Sequence, residues 1–310
     1  MYVLVGLLLI AATVAVVVIT RPRRLAVGFQ AGAINYPMMY ALEGGFFARE
    51  GLEPQARVFQ SANDAQDALL GGSLFLDSVI PIQNIAAVEG EKPGSIGIIA
   101  LLLSDVAHPL DFLVVPRKSP VKDPKELAGK TIVVFPGTYS ETVTRLTFAK
   151  LGIKDIKFLK ASPSDMAQAL QTGRADAGVV YEPTATLAEV GGWGRVLERG
   201  FWETHLLPVI VVGAYAYNKP AAQQTPDLLK RSHRAIEQAL ASAKANPTVA
   251  KKSLIKYMKL APDIIDRLPT ARVEMAGEVD PELVKQTLAL YVENGIIAHA
   301  VDLTATLYRP

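Results

Sequence analysis

Short apolar runs alternate with amphipathic stretches along most of the chain. Leu25–Phe29 and Thr131–Phe135 have the composition of buried strands. A helical pattern follows each of them, around Met38–Glu50 and from Thr138 to Lys150. Thr138 stands at the expected cap of its helix, because a glutamate follows it at capping-box spacing. Strands that alternate with helices in this way predict a mostly parallel α/β sheet.

Two segments align without gaps. Every position of Ser162–Gly173 lies 101 residues after its counterpart in Ser61–Gly72. Gly51 and Gly152 have the same separation, and both stand where a helix is expected to end. Common helix punctuation can produce some of these matches. The alignment nevertheless predicts two related β-α-β-α-β units and therefore two lobes.

After Pro208 the chain becomes richer in helices. The pattern predicts a strand and three helices: Val209–Tyr217, then Pro226–Ala245 capped by Thr225, Pro247–Lys259 and Pro281–Asn294. We expect this part to return to the first lobe through a second crossover, the first crossover lying near His108–Val115. Lobe one would comprise residues 25–110 and 213–310, and lobe two residues 111–212. Two connecting segments suit a hinge that closes around a ligand.

The N-terminal segment differs from the rest. Tyr2–Thr20 carries no charge and is long enough to span a bilayer as a helix. We expect residues 1–24 to be an uncleaved transmembrane anchor with a basic flank; a cleaved signal peptide is the alternative. Arg21, Arg23 and Arg24 follow the run, and the positive-inside rule would place them in the cytoplasm. We nevertheless expect a protein of the cell membrane whose body lies on the extracytoplasmic side.

Composition excludes several classes of function. The net charge is +2, so nucleic-acid binding has no electrostatic support. The chain has no cysteine, and its four histidines fall in unrelated segments. We therefore expect no metal site, no cofactor and no catalytic set.

Ligands of open α/β sheets bind beyond the carboxyl ends of parallel strands. This rule selects four segments, Gln30–Tyr36, Asp77–Pro81, Pro136–Ser140 and Tyr181–Pro183. Pro136–Ser140 is either an anion-binding helix N-terminus or an ordinary turn. Asp77 is either a ligand acceptor or a turn aspartate.

Aromatic residues add a second indication of a binding cleft. Tyr36, Tyr139 and Tyr181 together would form aromatic walls, although each alone is more typical of packing. Glu182 would accept from an amine or heterocycle N–H, unless a nearby Arg or Lys pairs with it. We expect Trp193 and Trp202 to pack inside lobe two.

Several motifs resemble a known family. Phe46–Leu52 (FFAREGL), Leu127–Ile132 (LAGKTI), Ala169–Pro183 and the ending Asn294–Ile297 with Val301–Leu303 are similar to substrate-binding proteins of ABC transporters in the sulfonate, taurine, nitrate and thiamine-precursor group. The resemblance covers residues 25–310. It implies a two-lobed type II periplasmic-binding fold with a two-segment hinge, an interlobe ligand site, and delivery to a permease and an ATPase.

The resemblance also implies a set of ligand contacts at the four strand ends. Transferred to this chain they are Gln30, Asn35, Tyr36, Asp77, Ser78, Thr138, Tyr139, Ser140, Tyr181 and Glu182. Asp77–Pro81 departs from the small-residue turn that is usual there. The anchor is a second departure, since many relatives are secreted or held by a lipidated cysteine.

These features predict a monomeric solute-binding component of an ABC importer and not an enzyme. The four strand-end segments contain no Arg, so an aromatic or amine-bearing heterocycle, such as a thiamine pyrimidine precursor, is favoured over an anion. Arg145 or Arg174 reaching the cleft would restore sulfonate or nitrate as the alternative. The same fold also hosts a thiamine-pyrimidine synthase and menaquinone-pathway lyases, which leaves an enzyme as the other alternative.

Overall fold

The computed structural model describes residues 22–136 and 138–310. Eleven strands in this part form two separate sheets. In chain order they are β1 (Arg23–Phe29), β2 (Leu52–Val58), β3 (Leu76–Pro81), β4 (Ile96–Ser104), β5 (Asp111–Pro116), β6 (Thr131–Val134), β7 (Lys157–Lys160), β8 (Ala177–Tyr181), β9 (Gly194–Arg199), β10 (Ile210–Asn218) and β11 (Arg272–Met275).

Helices cover the faces of both sheets. They are α1 (Tyr36–Glu43), α2 (Phe46–Arg49), α3 (Ala62–Leu70), α4 (Ile82–Glu91), α5 (Thr138–Lys150), α6 (Pro163–Gln171), α7 (Thr184–Val190), α8 (Phe201–His205), α9 (Lys219–Gln224), α10 (Pro226–Ala245), α11 (Pro247–Lys251), α12 (Leu254–Met258), α13 (Pro262–Arg267) and α14 (Pro281–Glu293). Short 3₁₀ turns occur at Ala33–Asn35, Pro124–Leu127 and Thr304–Thr306.

The first sheet has the strand order β11-β4-β10-β3-β1-β2. β1 pairs in parallel with β2 and β3, whereas β10 runs antiparallel between β3 and β4. Every residue of β4 is buried, which explains its continuous apolar sequence. The late strands β10 and β11 therefore return to the sheet that the first four strands began.

The second sheet has the strand order β7-β6-β8-β5-β9. β6 pairs in parallel with β7 and β8, and β5 runs antiparallel to β8 and β9. The chain enters this sheet through residues 105–110 and leaves it through residues 206–209. These two connecting segments join the two units.

The predicted duplication is confirmed. α3 and α6 have nine residues each and begin 101 residues apart. Ser61 caps α3 by accepting from backbone N–H groups, and Ser162 caps α6 in the same way. Gly72 and Gly173 follow these helices with φ angles of 75° and 74°, a left-handed conformation that favours glycine.

Some predicted boundaries were wrong. The helix predicted around Met38–Glu50 is two helices, α1 and α2, because Gly45 between them has a φ of 71°. The helix predicted over Pro247–Lys259 is likewise divided into α11 and α12. Thr225 precedes α10, but its hydroxyl donates to the Ala221 carbonyl (2.8 Å) and does not cap the helix.

The start of β1 also differs from the prediction. Arg23 and Arg24 belong to the strand, where they pair with Leu52 and Glu53, and not to a separate basic flank. The predicted anchor Tyr2–Thr20 lies outside the described residues. Within the described residues, no helix has both the length and the apolar composition needed to cross a membrane.

Sheet membership bears on the predicted lobe boundaries. β1–β4, β10 and β11 share one sheet, and β5–β9 share the other. The division into residues 25–110 with 213–310, and 111–212, stays a prediction. We use the terms lobe one and lobe two below for the units built on the six-stranded and the five-stranded sheet.

Candidate functional site

A cavity of about 1030 Å³ lies between the two lobes. It is bordered by the segments that follow the carboxyl ends of β1, β2, β6 and β8, where open α/β sheets bind ligands. The lining comprises residues 30–34, 59–60, 108–110, 135, 163–164, 166–167, 181–184, 187, 190–191, 193, 258 and 268–271. Both lobes therefore contribute walls to one cleft.

Most of this lining is apolar. Four aromatic side chains line the cavity, Phe59, Phe135, Tyr181 and Trp193. The rings of Phe135 and Tyr181 lie 5.6 Å apart between centroids. Phe135 is 36% exposed, which is unusual for a phenylalanine and results from its position at the cleft. Such a surface can bury an apolar or aromatic body by excluding water from it.

The described part of this surface carries few charged side chains, and its one histidine, His108, has Asp105 Oδ1 3.0 Å from its Nδ1. Among the described residues that line the cavity, none is Lys or Arg, and Glu182 is its one carboxylate. An anionic ligand would therefore lose its hydration without gaining a Lys or Arg partner, and His108 of the lining is already engaged by Asp105. Arg145, which the sequence left as a possible ligand contact, pairs with Glu141 and lies outside this lining.

Gln30 lies at the end of β1 and lines the cavity. Its side-chain nitrogen is buried and has no partner among the described residues. Behind it, the Asn35 amide donates to the Gln30 carbonyl (3.0 Å) and to the Ser78 hydroxyl (2.8 Å). Asn35 and Ser78 are buried outside the cavity lining, so they join the ends of β1 and β3 and support Gln30 from behind.

Glu182 lines the cavity at the end of β8. One carboxylate oxygen accepts from the Thr186 backbone N–H and the other from the Thr186 hydroxyl, both at 3.0 Å. Burial raises the pKa of Glu182 in spite of these bonds. The carboxylate thus closes the first turn of α7, and each oxygen still has a lone pair for a ligand donor.

Asp77 is fully buried in β3 and does not line the cavity. A Cβ atom on the paired Gly28 would lie 2.5 Å from its Oδ1, so the carboxyl group needs a glycine opposite it. Neither carboxyl oxygen accepts a side-chain hydrogen bond from the described residues. Burial therefore raises the pKa of Asp77 to about 7. Close by, Val79 has a φ of 69°, a strained conformation for a β-branched residue.

Tyr36, Tyr139 and Ser140 do not line the cavity. Tyr36 is buried in the first turn of α1, within the core of lobe one. Tyr139 lies between the lobes, where its hydroxyl is 2.6 Å from that of Tyr291. Ser140 is buried beside it, and Thr138 is the first residue of α5. Among the described side chains around β6 and α5, Phe135 lines the cavity; Gly137 and the side chain of Thr138 lie outside the described part of the chain.

Trp193 packs against the core of lobe two, as expected from the sequence, and it also lies on the cavity wall. Its position just after the Gly191–Gly192 pair was the signal, because a large ring in a glycine turn between a helix and a strand is free to face a cleft. Trp202 is buried as predicted, with its indole N–H donating to the Thr144 hydroxyl (3.2 Å). No comparable sequence pattern indicated that Phe59 or residues 268–271 would line the cavity.

Comparison with known proteins places this site in context. The chain is 25% identical over 317 residues to a protein of Escherichia coli (strain K12) named as an aliphatic sulfonates-binding protein, covering 98% of this chain and 94% of that relative. The crystal structure of the periplasmic aliphatic sulphonate binding protein SsuA from Escherichia coli is similar, with a TM-score of 0.74, 21% identity and 93% of each chain covered.

An enzyme shares the fold as well. The crystal structure of the desulfurization enzyme DSZB has a TM-score of 0.70 at 14% identity, covering 92% of this chain and 96% of that one. These similarities confirm the two-lobed periplasmic-binding-protein fold.

The pattern of the NMT1/THI5 like family matches residues 35–250, more than half of the chain. The resemblance seen in the sequence is therefore confirmed, and this chain belongs to the NMT1/THI5-like family.

Proposed function

We propose that the protein is the solute-binding component of an ABC importer and that it captures a small organic molecule with an aromatic or amine-bearing heterocyclic body. The observation that carries this proposal is the interlobe cavity of about 1030 Å³ with four aromatic side chains and no Lys or Arg in its described lining. Family membership and the similarity to named binding proteins support solute capture.

Three of the predicted contacts, together with Trp193, are suited to such a ligand. Tyr181 and Trp193 offer ring faces for stacking. Glu182 accepts hydrogen bonds from an amine or a ring N–H, and Gln30 provides an unpartnered amide from the opposite lobe. A ligand held by Gln30 of lobe one and Glu182 of lobe two would favour the closed arrangement of the lobes.

Asn35 and Ser78 act in this proposal by supporting Gln30. Asp77, Tyr36, Tyr139 and Ser140 lie outside the cavity lining and have no direct contact with the ligand in this proposal, whereas Thr138 stays a predicted contact. Delivery to a permease and an ATPase, a monomeric state, an extracytoplasmic position and the N-terminal anchor all belong to the same proposal.

An aliphatic sulfonate is the second candidate ligand. It is favoured by the name of the Escherichia coli relative and by the similar SsuA structure. The absence of Lys and Arg from the described lining disfavours it, because a sulfonate keeps its charge at every physiological pH and needs donors or cations in its site. Nitrate is disfavoured for the same reason, and it would also leave most of the cavity unfilled.

An enzymatic function is the third candidate, since the DSZB enzyme shares the fold. Glu182 is the carboxylate available as a base in the described lining. Its two oxygens already accept from Thr186, which lowers its use as a general base. His108 also lines the cavity, with Asp105 Oδ1 3.0 Å from its Nδ1, so it is the other possible base in an enzymatic reading.

A thermal-shift screen of the full-length chain tests these proposals. The probes are pyrimidines, flavins, aromatic acids, alkanesulfonates and nitrate. A ligand at 100 times its dissociation constant should stabilise the protein by about 2.7 kcal/mol. We expect hits among the aromatic heterocycles, and Glu182→Gln should weaken those that carry an amine, with Glu189→Gln as the exposed control.

Two results would contradict the proposal. Binding of alkanesulfonates alone would retain solute capture but refute the aromatic ligand class. Chemical conversion of a bound probe, followed by mass spectrometry, would refute the binding role itself.

A further inference from the structure

Each of the two segments that connect the lobes is flanked by a buried acid. Asp111 is the first residue of β5, directly after residues 105–110, and it is fully buried. Glu203 lies in α8, shortly before residues 206–209, and is 3% exposed. The proposed ligand site uses neither residue, and neither lines the cavity.

The two carboxyl groups contact each other. They are within hydrogen-bonding reach of each other. The Trp202 backbone N–H donates to Asp111 Oδ2 (3.3 Å). Beyond these contacts, Asp111 Oδ1 and both oxygens of Glu203 have no partner among the described residues. Two carboxyl groups form a hydrogen bond only if one of them carries a proton.

The groups that face this pair do not neutralise it. They are three tyrosines, Tyr139 of α5, Tyr181 of β8 and Tyr291 of α14, together with Asp105. Asp105 is itself engaged by Arg272 (2.7 Å) and by His108 (3.0 Å). No Lys or Arg in the described chain forms an ion pair with Asp111 or Glu203.

Burial and the neighbouring carboxyl group raise the pKa of Asp111, and burial raises the pKa of Glu203. Like charges in contact at low dielectric cannot both form without a large cost. The contact between the two carboxyl groups in the structure therefore requires a proton on the pair.

A hydrogen bond between the lobes lies in the same cluster. The Tyr139 hydroxyl of lobe two is 2.6 Å from the Tyr291 hydroxyl of lobe one. Trp202, the neighbour of Glu203, packs edge-on against Tyr139 with ring centroids 5.9 Å apart. A displacement of α8 would therefore disturb both the acid pair and this interlobe bond.

We propose that one proton shared by Asp111 and Glu203 holds the two connecting segments together, and that its loss loosens them and makes lobe opening pH-dependent. The proton leaves to solvent, and the two remaining negative charges separate because that reduces their repulsion. Separation moves α8 away from β5 and weakens the contact between Tyr139 and Tyr291. Opening is thus favoured as the pH rises. The inference does not depend on the identity of the ligand.

Trp202 provides a local reporter, because its backbone bonds to Asp111 and the chain has only two tryptophans. In the full-length Trp193→Phe chain, fluorescence of Trp202 is followed from about pH 5 to about pH 9. We expect one transition that Glu203→Gln or Asp111→Asn removes or shifts by at least about one pH unit. Asp155→Asn, an exposed acid in the same lobe, is the control that should leave the transition unchanged.

Lobe opening is measured separately, since the chain lacks cysteine. Gln60→Cys and Ser164→Cys, exposed and on opposite sides of the cleft, receive spin labels for distance measurements. The distance should broaden or lengthen with rising pH in the otherwise natural chain and stay constant with Glu203→Gln.

Asp77 also titrates near neutral pH, so the comparison is always between variants and not between pH values alone. A fluorescence transition that persists unchanged in Glu203→Gln, or a cleft distance that changes with pH equally in both chains, would overturn the proposal. If Asp111→Asn does not fold, Glu203→Gln and Tyr291→Phe carry the test. Tyr291→Phe should move opening to lower pH without abolishing the transition.

Discussion

The two repeated segments share a backbone and differ in chemistry. α3 and α6 have equal lengths and equivalent serine caps, and β3 and β8 begin 101 residues apart. Yet Ile80 in the first copy is fully buried, whereas Tyr181 at the equivalent position lines the cavity. The framework is the same in both copies, while the two strand ends differ in role. In lobe one the strand end is buried away from the cavity lining, and in lobe two it would contact the proposed ligand.

The largest expected effect comes from exchanging those equivalent residues. Ile80→Tyr places a larger ring and a hydroxyl in a fully buried site, so we expect a loss of about 3–5 kcal/mol in the free energy of unfolding. Tyr181→Ile should cost less than half as much, because one face of that side chain borders the cavity. Urea denaturation measures the free energy of unfolding of both variants. Equal losses would mean that the two equivalent positions do not differ in burial as the structure indicates.

Asp77→Asn tests the buried support of lobe one. The pKa of Asp77 is about 7, against 3.8 for an ordinary aspartate. Between these values the unfolded chain binds fewer protons than the folded one, so ionisation of Asp77 lowers the free energy of unfolding as the pH rises. Asparagine cannot ionise, so Asp77→Asn should escape this destabilisation. The variant should be more stable than the natural chain by about 2–4 kcal/mol near pH 8.

At a pH below about 4 the advantage of Asp77→Asn should vanish, because the carboxyl group is then protonated in both states. Denaturation at a series of pH values gives the difference directly. Asp67→Asn, an exposed aspartate in α3, is the matched control. A constant difference between the natural chain and Asp77→Asn across the series would rule out the raised pKa.

Trp193→Ala tests the aromatic wall of lobe two. Removing the ring should weaken the best ligand of the screen about tenfold or more, which corresponds to about 1.4 kcal/mol. Trp193→Phe keeps a ring face and should retain most of the affinity. Isothermal titration calorimetry separates the two variants, and equal affinities for the natural chain and Trp193→Ala would exclude this residue from the site.

The smallest effects should be alike in both lobes. Ser61→Ala and Ser162→Ala each remove a helix cap, at a cost of about 1 kcal/mol. Ser→Thr at either position keeps the capping oxygen and serves as the control. Thermal denaturation measures the stability of the four variants. Losses for Ser61→Ala and Ser162→Ala that differ by much more than the experimental error would show that the two caps are not equivalent.

Local sequence patterns predicted most of the secondary structure because they record local physics. The strands β1, β6 and β10, the helices α10 and α14, and the serine-capped repeat follow from apolar periodicity and capping residues. The break between α1 and α2 was missed, since a Gly44–Gly45 pair at that position is compatible with either a loop or a weakened helix.

The candidate site was predictable only in part. Gln30, Tyr181 and Glu182 line the cavity because the strand-end rule concerns backbone direction, which the α/β pattern already implies. Tyr139 and Asp77 obeyed the same rule but point elsewhere, since side-chain direction depends on packing across the sheets. Met258 and Leu268 reach the cavity from lobe one through contacts between distant segments, which no local pattern encodes.

The amino-acid sequence by itself determined the two units, their order along the chain, the repeat and the family, because these depend on periodicity, caps and motifs within short windows. Only the tertiary structure decided which faces meet. It brought Asp111 and Glu203 together from segments 92 residues apart and left the cavity apolar. The energies of burial and charge contact arise between residues that are distant in sequence, so they become visible only when the sheets are packed.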